Sequence, residues 1–84
     1  MPSPLVKLYT RPDCHLCEQA RAELEAMRVA GQRFALEEID IESDDGLLSR
    51  YLERIPVVEL DGVEVSELGL DRDALRARLG TLSR

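Results

Sequence analysis

The sequence predicts an α/β fold in which a mixed four-stranded sheet is flanked by helices. Three observations support this class. The chain opens with the pattern of a strand, a helix and a second strand, an order that implies parallel pairing with a right-handed crossover. Two short β runs then surround an Asp-Gly pair, the strongest short-range signal for a hairpin. An amphipathic segment closes the chain, so we expect the order β-α-β-α-β-β-α.

The first strand and the first helix lie in the opening third of the chain. Leu5 to Tyr9 is a short apolar run with a proline before it and Arg-Pro-Asp after it, which is typical of a buried strand. From Cys14 to Ala30 good helix formers dominate, and Gly31 should end the helix. One face of this helix carries residues at steps of three and four that we expect in the core: Cys17, Ala20, Leu24 and Met27.

A second strand and a second helix should follow before Pro56. In residues 36–42 isoleucines alternate with acidic residues, which is the period of a strand with one buried face. We expect Ser43 to cap the next helix, whose first turn is acidic. The helix must end before Pro56, because the residue preceding a proline is pushed out of the α region. Four residues should give it an apolar face in the core: Leu47, Leu48, Tyr51 and Leu52.

The hairpin and the last helix complete the predicted fold. Residues 57–60 and 63–65 are β runs on either side of Asp61-Gly62, and they should form adjacent antiparallel strands. Asp71 is a good N-cap for the final helix, and Gly80 should end it.

Length and charge limit what the protein does. Eighty-four residues leave room for one domain, which we expect to span residues 1–84. Eleven basic and 17 acidic residues give a formal charge of −6, which disfavours nucleic-acid binding because phosphates need a basic face. No run approaches the ~18 apolar residues of a membrane span, and a secretory signal is absent from the N-terminus. We therefore expect a cytoplasmic monomer that binds neither nucleic acid nor membranes.

The two cysteines, Cys14 and Cys17, lie at the junction of the first strand and the first helix. We expect Cys14 in the first turn of the helix, where free N–H groups and the positive end of the helix dipole favour a thiolate over a thiol. Cys17 lies one turn further on and shares the apolar face. We therefore expect Cys14 to attack a substrate disulfide and Cys17 to resolve the mixed disulfide. A Cys-x-x-Cys pair near a β-α-β pattern is itself a redox signature.

Two other interpretations of the cysteine pair remain open: unreactive buried cysteines, or half of a metal site. A structural zinc site usually needs four ligands, and the chain has one cysteine pair and a single histidine, His15. Covalent haem attachment needs a histidine directly after the second cysteine, and Glu18 stands there. We therefore predict no metal site. A protonated His15 beside Cys14 would favour the thiolate, but a solvent-facing side chain fits equally well.

Three segments of the sequence resemble the glutaredoxins. Residues 9–17, Tyr-Thr-Arg-Pro-Asp-Cys-His-Leu-Cys, are similar to the glutaredoxin active-site segment, and Arg54-Ile55-Pro56 resembles the cis-proline segment of the thioredoxin superfamily. Residues 69–71 partly resemble the glycine-aspartate stretch before the last glutaredoxin helix. The motif Cys-His-Leu-Cys is most similar to that of a group of small glutaredoxin-like proteins. The resemblance implies a thioredoxin fold and a dithiol thiol-disulfide oxidoreductase.

Carried over residue by residue, the resemblance also implies a substrate site. Pro56 should be cis and lie beside Cys14, where its lack of an N–H keeps it from donating to the sulfurs; the alternative is a trans proline that begins a strand. The backbone of Ile55 should pair with the substrate in strand-like fashion. Arg11 should face a carboxylate of glutathione or of a peptide, and Asp71 the amino group, although Arg11 is also consistent with an ordinary surface residue.

The resemblance implies no bound cofactor and two kinds of substrate. These are disulfide-containing proteins and glutathione mixed disulfides, with a reductase or glutathione as the electron donor and glutathione as co-substrate. The sequence departs from the glutaredoxin pattern at His15 and Leu16, at Arg54 and Ile55, and at Leu68, which stands where glutaredoxins have the first of two glycines. Each change touches the glutathione groove, so the dithiol chemistry is better supported than the specificity for glutathione.

An alternative function is a glutaredoxin-like binding module without turnover. It would dock onto a larger protein, or would carry an iron–sulfur cluster between two copies with external thiols. Residues 37–45 hold six acids and no base. This acidic run is consistent with docking to a basic partner and with a solvated strand edge.

Overall fold

The protein folds into a four-stranded sheet with helices on both faces. The structure is a computed structural model and describes residues 3–82. The strands are β1 (Leu5–Thr10), β2 (Ala35–Asp40), β3 (Val57–Leu60) and β4 (Val63–Ser66). The helices are α1 (His15–Val29), α2 (Asp45–Tyr51) and α3 (Arg72–Leu82), with a 3₁₀ turn over Ile41–Ser43. The predicted order of elements is confirmed.

The sheet is mixed, as the sequence predicts. Its strand order is β2-β1-β3-β4. The pair β1 and β2 is parallel, whereas β3 is antiparallel to both β1 and β4. The register sets Tyr9 beside Ile39 on one side and Val57 on the other. This pairing brings the end of β1 and the start of β3 to the same end of the sheet.

Two apolar clusters hold the helices on opposite faces. Alternate side chains of β1 point to opposite faces of the sheet. On one face Val6 and Leu8 pack in a cluster with residues of α1 and α3, among them Leu24 and Leu75. On the other face the cluster faces α2 and contains four buried residues: Tyr9, Ile41, Tyr51 and Val57. The face of α1 predicted from the sequence is buried, because all four of its residues are at most 5% exposed.

The Asp-Gly hairpin is confirmed in its geometry as well as its position. Asp61 and Gly62 have φ values of +48° and +86°, the positive pair that a two-residue type I′ turn requires. Asp61 also fastens the turn to β1, since its carboxylate accepts from the Leu5 N–H at 2.9 Å and its own N–H donates to the Leu5 carbonyl at 2.9 Å. The register between β3 and β4 shifts at Val58.

The second strand is shorter than predicted, and the cap of α2 is a different residue. β2 ends at Asp40 instead of continuing to Glu42, because the Asp40 carboxylate accepts from the Glu42 N–H at 2.8 Å and turns the chain into the 3₁₀ turn. Ile41, the first residue of that turn, is fully buried. The N-cap of α2 is Asp44, not Ser43, whose hydroxyl donates instead to the Asp40 carbonyl at 2.7 Å.

Two further expectations are wrong, one about the end of a helix and one about a core residue. Gly80 does not end α3, which continues through it to Leu82, with the Thr81 hydroxyl donating to the Ala77 carbonyl at 3.1 Å. A single glycine costs a helix only ~1 kcal/mol, and the buried Leu79 anchors this last turn. Leu52 is 43% exposed and lies outside the core, because it follows the last residue of α2.

Of the helices described in residues 3–82, none is long and apolar enough to cross a membrane.

Candidate functional site

The site begins where β1 ends and the chain turns into α1. Asp13 has a φ of +59°, and this left-handed residue redirects the chain immediately before Cys14. Cys14 is the N-cap of α1, with extended backbone angles, instead of lying within its first turn. Its sulfur accepts from the Cys17 N–H at 3.2 Å. The sulfur thus occupies the place of the oxygen that a serine or aspartate cap would supply.

The two cysteines form a disulfide across this first turn. Their Cα atoms are 5.2 Å apart, within the range that a disulfide allows. Cys14 is half-buried, whereas Cys17 is 2% exposed. Of the two sulfur-bearing side chains, Cys14 therefore presents more surface to another molecule. A helix N-terminus and a neighbouring backbone N–H are features that stabilise a thiolate.

Cys17 also lines a cavity of about 250 Å³. That volume falls below the ~300–1,000 Å³ of typical small-molecule sites, and it suits a single side chain or a few waters. Six charged side chains line the cavity with Cys17: Arg11, Asp13, Glu18, Arg21, Glu38 and Asp40. Arg11 forms an ion pair with Glu42 at 2.8 Å, not with the acids nearest in sequence, and Arg21 pairs with Glu38 at 3.2 Å.

The proline segment lies at the same end of the sheet as the disulfide. The Ile55–Pro56 peptide bond is cis, as the resemblance implies. Pro56 is fully buried and directly precedes Val57, the partner of Tyr9, so it lies at the level where β1 gives way to the loop that leads to Cys14. The Ile55 N–H donates to the Tyr51 carbonyl at 3.1 Å. Within residues 3–82, no backbone N–H donates to the Ile55 carbonyl.

Asp71 caps α3, as predicted. Its carboxylate accepts from the Ala74 N–H at 3.0 Å, and its own N–H donates to the Ser66 hydroxyl at 3.3 Å. The side chain is exposed. One carboxylate oxygen therefore accepts the capping hydrogen bond, and the other is exposed to solvent.

Arg54 is a site residue whose contacts the sequence does not reveal. Its guanidinium forms ion pairs with Glu64 and, at 2.6 Å, with Glu67. It also lies over the Tyr51 ring, 5.5 Å from the ring centroid. The hydrogen bond that Arg54 donates to Glu67, followed by the one that it donates to Glu64, raises the pKa of Arg54 above its usual value. Arg54 thereby connects the cis-proline segment to β4 and to α2, three segments that no local sequence pattern relates.

Two stacked tyrosines support this end of the sheet from the α2 face. The rings of Tyr9 and Tyr51 are parallel within 24°, with centroids 4.3 Å apart. The Tyr51 hydroxyl donates to Glu59 at 3.5 Å. Burial, with a smaller contribution from the charge of Glu59, raises the pKa of Tyr9 well above its ordinary value. Tyr9 is therefore a neutral packing residue at physiological pH.

Within the described residues 3–82, no group of three or more His, Cys, Asp and Glu side chains is placed to hold a metal ion. His15 is exposed at the first position of α1.

The mixed sheet, the Cys-x-x-Cys pair at the start of α1 and the cis-proline before β3 define a glutaredoxin-like protein of the thioredoxin superfamily. Solved structures agree. Protein Ne2328 from Nitrosomonas europaea is similar over 93% of each chain, with 30% identity and a TM-score of 0.81. Protein XcR50 from X. campestris is 36% identical, with a TM-score of 0.67 over 90% of this chain and 96% of its own.

A thioredoxin from Halobacterium salinarum shares the fold at 23% identity and a TM-score of 0.67, covering 99% of this chain and 77% of its own. The family model described as "Glutaredoxin-like domain (DUF836)" matches residues 5–80, so the chain belongs to that family. None of the curated proteins matches the sequence significantly.

Proposed function

We propose that the protein is a dithiol thiol-disulfide oxidoreductase that reduces protein disulfides or mixed disulfides with glutathione. The observation that carries the proposal is the asymmetric disulfide. Cys14 is partly accessible and caps a helix, and its partner Cys17 is 2% exposed behind it. A structural disulfide between buried cysteines would need neither the helix terminus nor an accessible sulfur.

The proposed reaction uses both sulfurs in turn. The Cys14 thiolate of the reduced protein attacks one sulfur of the substrate disulfide, whose bond breaks as the Cys14–substrate bond forms, and the departing thiolate takes up a proton. Cys17 then loses its proton and attacks the Cys14 sulfur, which releases the second substrate thiolate. Two electrons pass to the substrate, and the protein is left with the Cys14–Cys17 disulfide. A thiol donor or a reductase returns it to the dithiol.

Four further residues would position the substrate. The Ile55 N–H is used by Tyr51, so strand-like pairing would rely on the Ile55 carbonyl. Pro56 offers no N–H that would compete for the sulfurs. Arg11 is 40% exposed and would exchange its Glu42 partner for a substrate carboxylate. Asp71 would offer a substrate amino group the carboxylate oxygen that does not cap α3.

A matched pair of serine variants tests the proposal. With an insulin disulfide as substrate, Cys14→Ser should lower reduction to the uncatalysed background, because no nucleophile remains. Cys17→Ser should instead accumulate a mixed disulfide between Cys14 and the substrate, detected as a mass adduct that dithiothreitol removes. Parental rates in Cys14→Ser would refute the proposal. An unreactive Cys14 in the reduced protein would favour a binding module without turnover.

The electron donor is a separate question with its own experiment. Turnover is measured with glutathione and glutathione reductase, and again with a thioredoxin-reductase system. We expect the second system to support turnover at least as well, because the residues at positions 15, 16, 54, 55 and 68 all depart from the glutathione-binding pattern. A rate that depends on glutathione alone would contradict this expectation.

A further inference from the structure

Arg54 is held through its backbone as well as through its side chain. Its N–H donates to the Tyr51 carbonyl at 2.8 Å, and its carbonyl accepts from the Leu68 N–H at 2.9 Å. Its Nε pairs with Glu67 at 2.6 Å, and its Nη2 pairs with Glu64. Arg54 therefore joins the end of α2, strand β4 and the loop of residues 67–71 between β4 and α3, here named the β4–α3 loop.

These backbone contacts fix the two sides of the Ile55 carbonyl. The planar peptide unit between Arg54 and Ile55 is bonded at both ends, because the Ile55 N–H also donates to the Tyr51 carbonyl at 3.1 Å. Beyond Ile55, the Pro56 carbonyl accepts from the Gly69 N–H at 3.4 Å. The Ile55 carbonyl lies between these fixed points and, within residues 3–82, accepts from no backbone N–H.

The charge of Arg54 holds the loop that supplies two of these donors. Glu67 begins the β4–α3 loop directly before Leu68, and Glu64 lies in β4. Across residues 3–82, no other basic side chain pairs with either carboxylate. Glu64 is also the cross-strand partner of Glu59, and like charges opposite each other destabilise a sheet. Loss of the guanidinium would leave these acids to repel one another and would loosen the loop.

The ion pairs of Arg54 fix geometry more than they stabilise the fold. The three side chains are between one-third and one-half exposed, and exposed ion pairs contribute little to stability. A guanidinium, however, is a rigid planar fork, and here two of its nitrogens engage two different carboxylates. The fork therefore sets the position of the β4–α3 loop relative to Ile55.

We propose that Arg54 is a positioning residue whose ion pairs with Glu64 and Glu67 orient the Ile55 carbonyl to accept a hydrogen bond from the backbone of a peptide substrate. The proposal rests on the oxidoreductase function proposed above and deepens it. The substrate class is a disulfide in an extended peptide segment with a free backbone N–H beside its cysteine. Arg54 takes no part in the exchange of sulfur bonds.

Two uncharged peptides that differ only in backbone N–H groups test the proposal. Each carries its cysteine in a mixed disulfide with 2-mercaptoethanol, and one is N-methylated at the amides on both sides of the cysteine. The reference substrate, bis(2-hydroxyethyl) disulfide, has no peptide backbone. We expect the parent to prefer the unmethylated peptide about fivefold in kcat/KM, equivalent to about 1 kcal/mol for one hydrogen bond.

Arg54→Gln should abolish this preference by raising the KM of the unmethylated peptide, with kcat and the rate for the small disulfide unchanged. Glu67→Gln should reduce the preference as well, because it removes the charge that holds the loop and leaves Arg54 in place. In the parent the preference should fall as sodium chloride is raised from about 0.05 M to about 1 M, since salt screens exposed ion pairs. Arg54→Gln should show no such dependence.

Arg50→Gln is the matched control. The Arg50 guanidinium also lies over the Tyr51 ring, 5.8 Å from the ring centroid. Among residues 3–82 it forms no ion pair with an acid. The substitution therefore makes the same change in charge beside the same ring without releasing the β4–α3 loop, and the preference should remain fivefold.

Three results would overturn the inference. They are an unchanged preference in Arg54→Gln, an equal loss of preference in Arg50→Gln, and an equal fall in the rates for all three substrates. If Arg54→Gln does not fold, Glu67→Gln decides, and a full preference in that variant counts against the proposal. A parent that reduces none of the three disulfides would refute the oxidoreductase function itself, and this inference with it. A parent that reduces the small disulfide but shows no preference would refute only the role of Arg54.

Discussion

Gly62 and Gly80 should respond in opposite directions to the same substitution by alanine. A β-carbon added to either residue would meet no atom within 4 Å, so steric contact does not distinguish them. The backbone does. Gly62 has a φ of +86° in the hairpin turn, whereas Gly80 lies inside α3.

The expected magnitudes follow from these conformations. Alanine at position 62 must adopt a left-handed backbone, which costs about 1–2 kcal/mol for a residue with a β-carbon. At position 80 alanine replaces the weaker helix former and restricts the unfolded chain, which stabilises the protein by about 0.8–1.0 kcal/mol. The two variants should therefore differ in their free energies of unfolding by about 2–3 kcal/mol, although the added atoms are identical.

Urea unfolding followed by far-ultraviolet circular dichroism measures both values. The slope m should not change, because neither residue alters the surface exposed on unfolding. In a chain of this size, each kcal/mol also shifts the melting temperature by about 4–8 °C. The reasoning would be refuted if Gly80→Ala destabilised the protein, or if both variants shifted the midpoint in the same direction. The first of these results would also restore the expectation that Gly80 ends the helix.

Three further changes test the core, the cap of α3 and the buried tyrosine. Leu24→Ala should cost about 2–5 kcal/mol because the side chain is fully buried, whereas Val29→Ala should stay within about 0.5 kcal/mol; equal urea midpoints would contradict this. Asp71→Ala should cost about 1 kcal/mol through the lost N-cap, with Asp71→Asn retaining most of it; unfolding curves that overlay with the parent would show that the cap is not needed. The raised pKa of Tyr9 means that its contribution to stability is complete below the unfolded pKa of ~10 and is lost as the pH rises above it. Between pH 9 and pH 11 the parent should therefore lose about 1.4 kcal/mol more than Tyr9→Phe, and parallel losses in urea titrations would exclude this cause.

The elements that the sequence predicted correctly are those with a strong local signal. The apolar face of α1 follows from a helical period, and the hairpin follows from Asp61-Gly62, where a positive φ is required at both positions. The cis state of Pro56 was implied by a family resemblance and is confirmed. Predictions failed where two local signals competed. At Ile41 the alternating pattern indicated a strand. The Asp40 carboxylate instead accepts a hydrogen bond from the Glu42 N–H, and a turn begins there.

The surroundings of the site could not be predicted from local patterns. Arg54 meets Glu64 and Glu67 only because β4 folds back along β3, and Leu68 lies beside the cis-proline segment for the same reason. No local sequence pattern near Leu68 indicates its left-handed backbone, because the Leu68 and Gly69 N–H groups donate to carbonyls of a distant segment, those of Arg54 and Pro56. The ion pair of Arg11 with Glu42 likewise follows from the parallel pairing of β1 and β2.

The sequence by itself determined where the two cysteines lie relative to the first helix. A spacing of three residues at the start of a helix sets one sulfur at the N-terminus and the other on the buried face, since one helical turn is about 3.6 residues. The tertiary structure alone decided the charged cavity that Cys17 lines and the contacts that Arg54 makes with Glu64, Glu67 and Tyr51. Backbone periodicity and capping act within a few residues and can be read from the order of amino acids. Neighbours across a sheet depend on which strands pair, and that choice is made by the packing of the whole core.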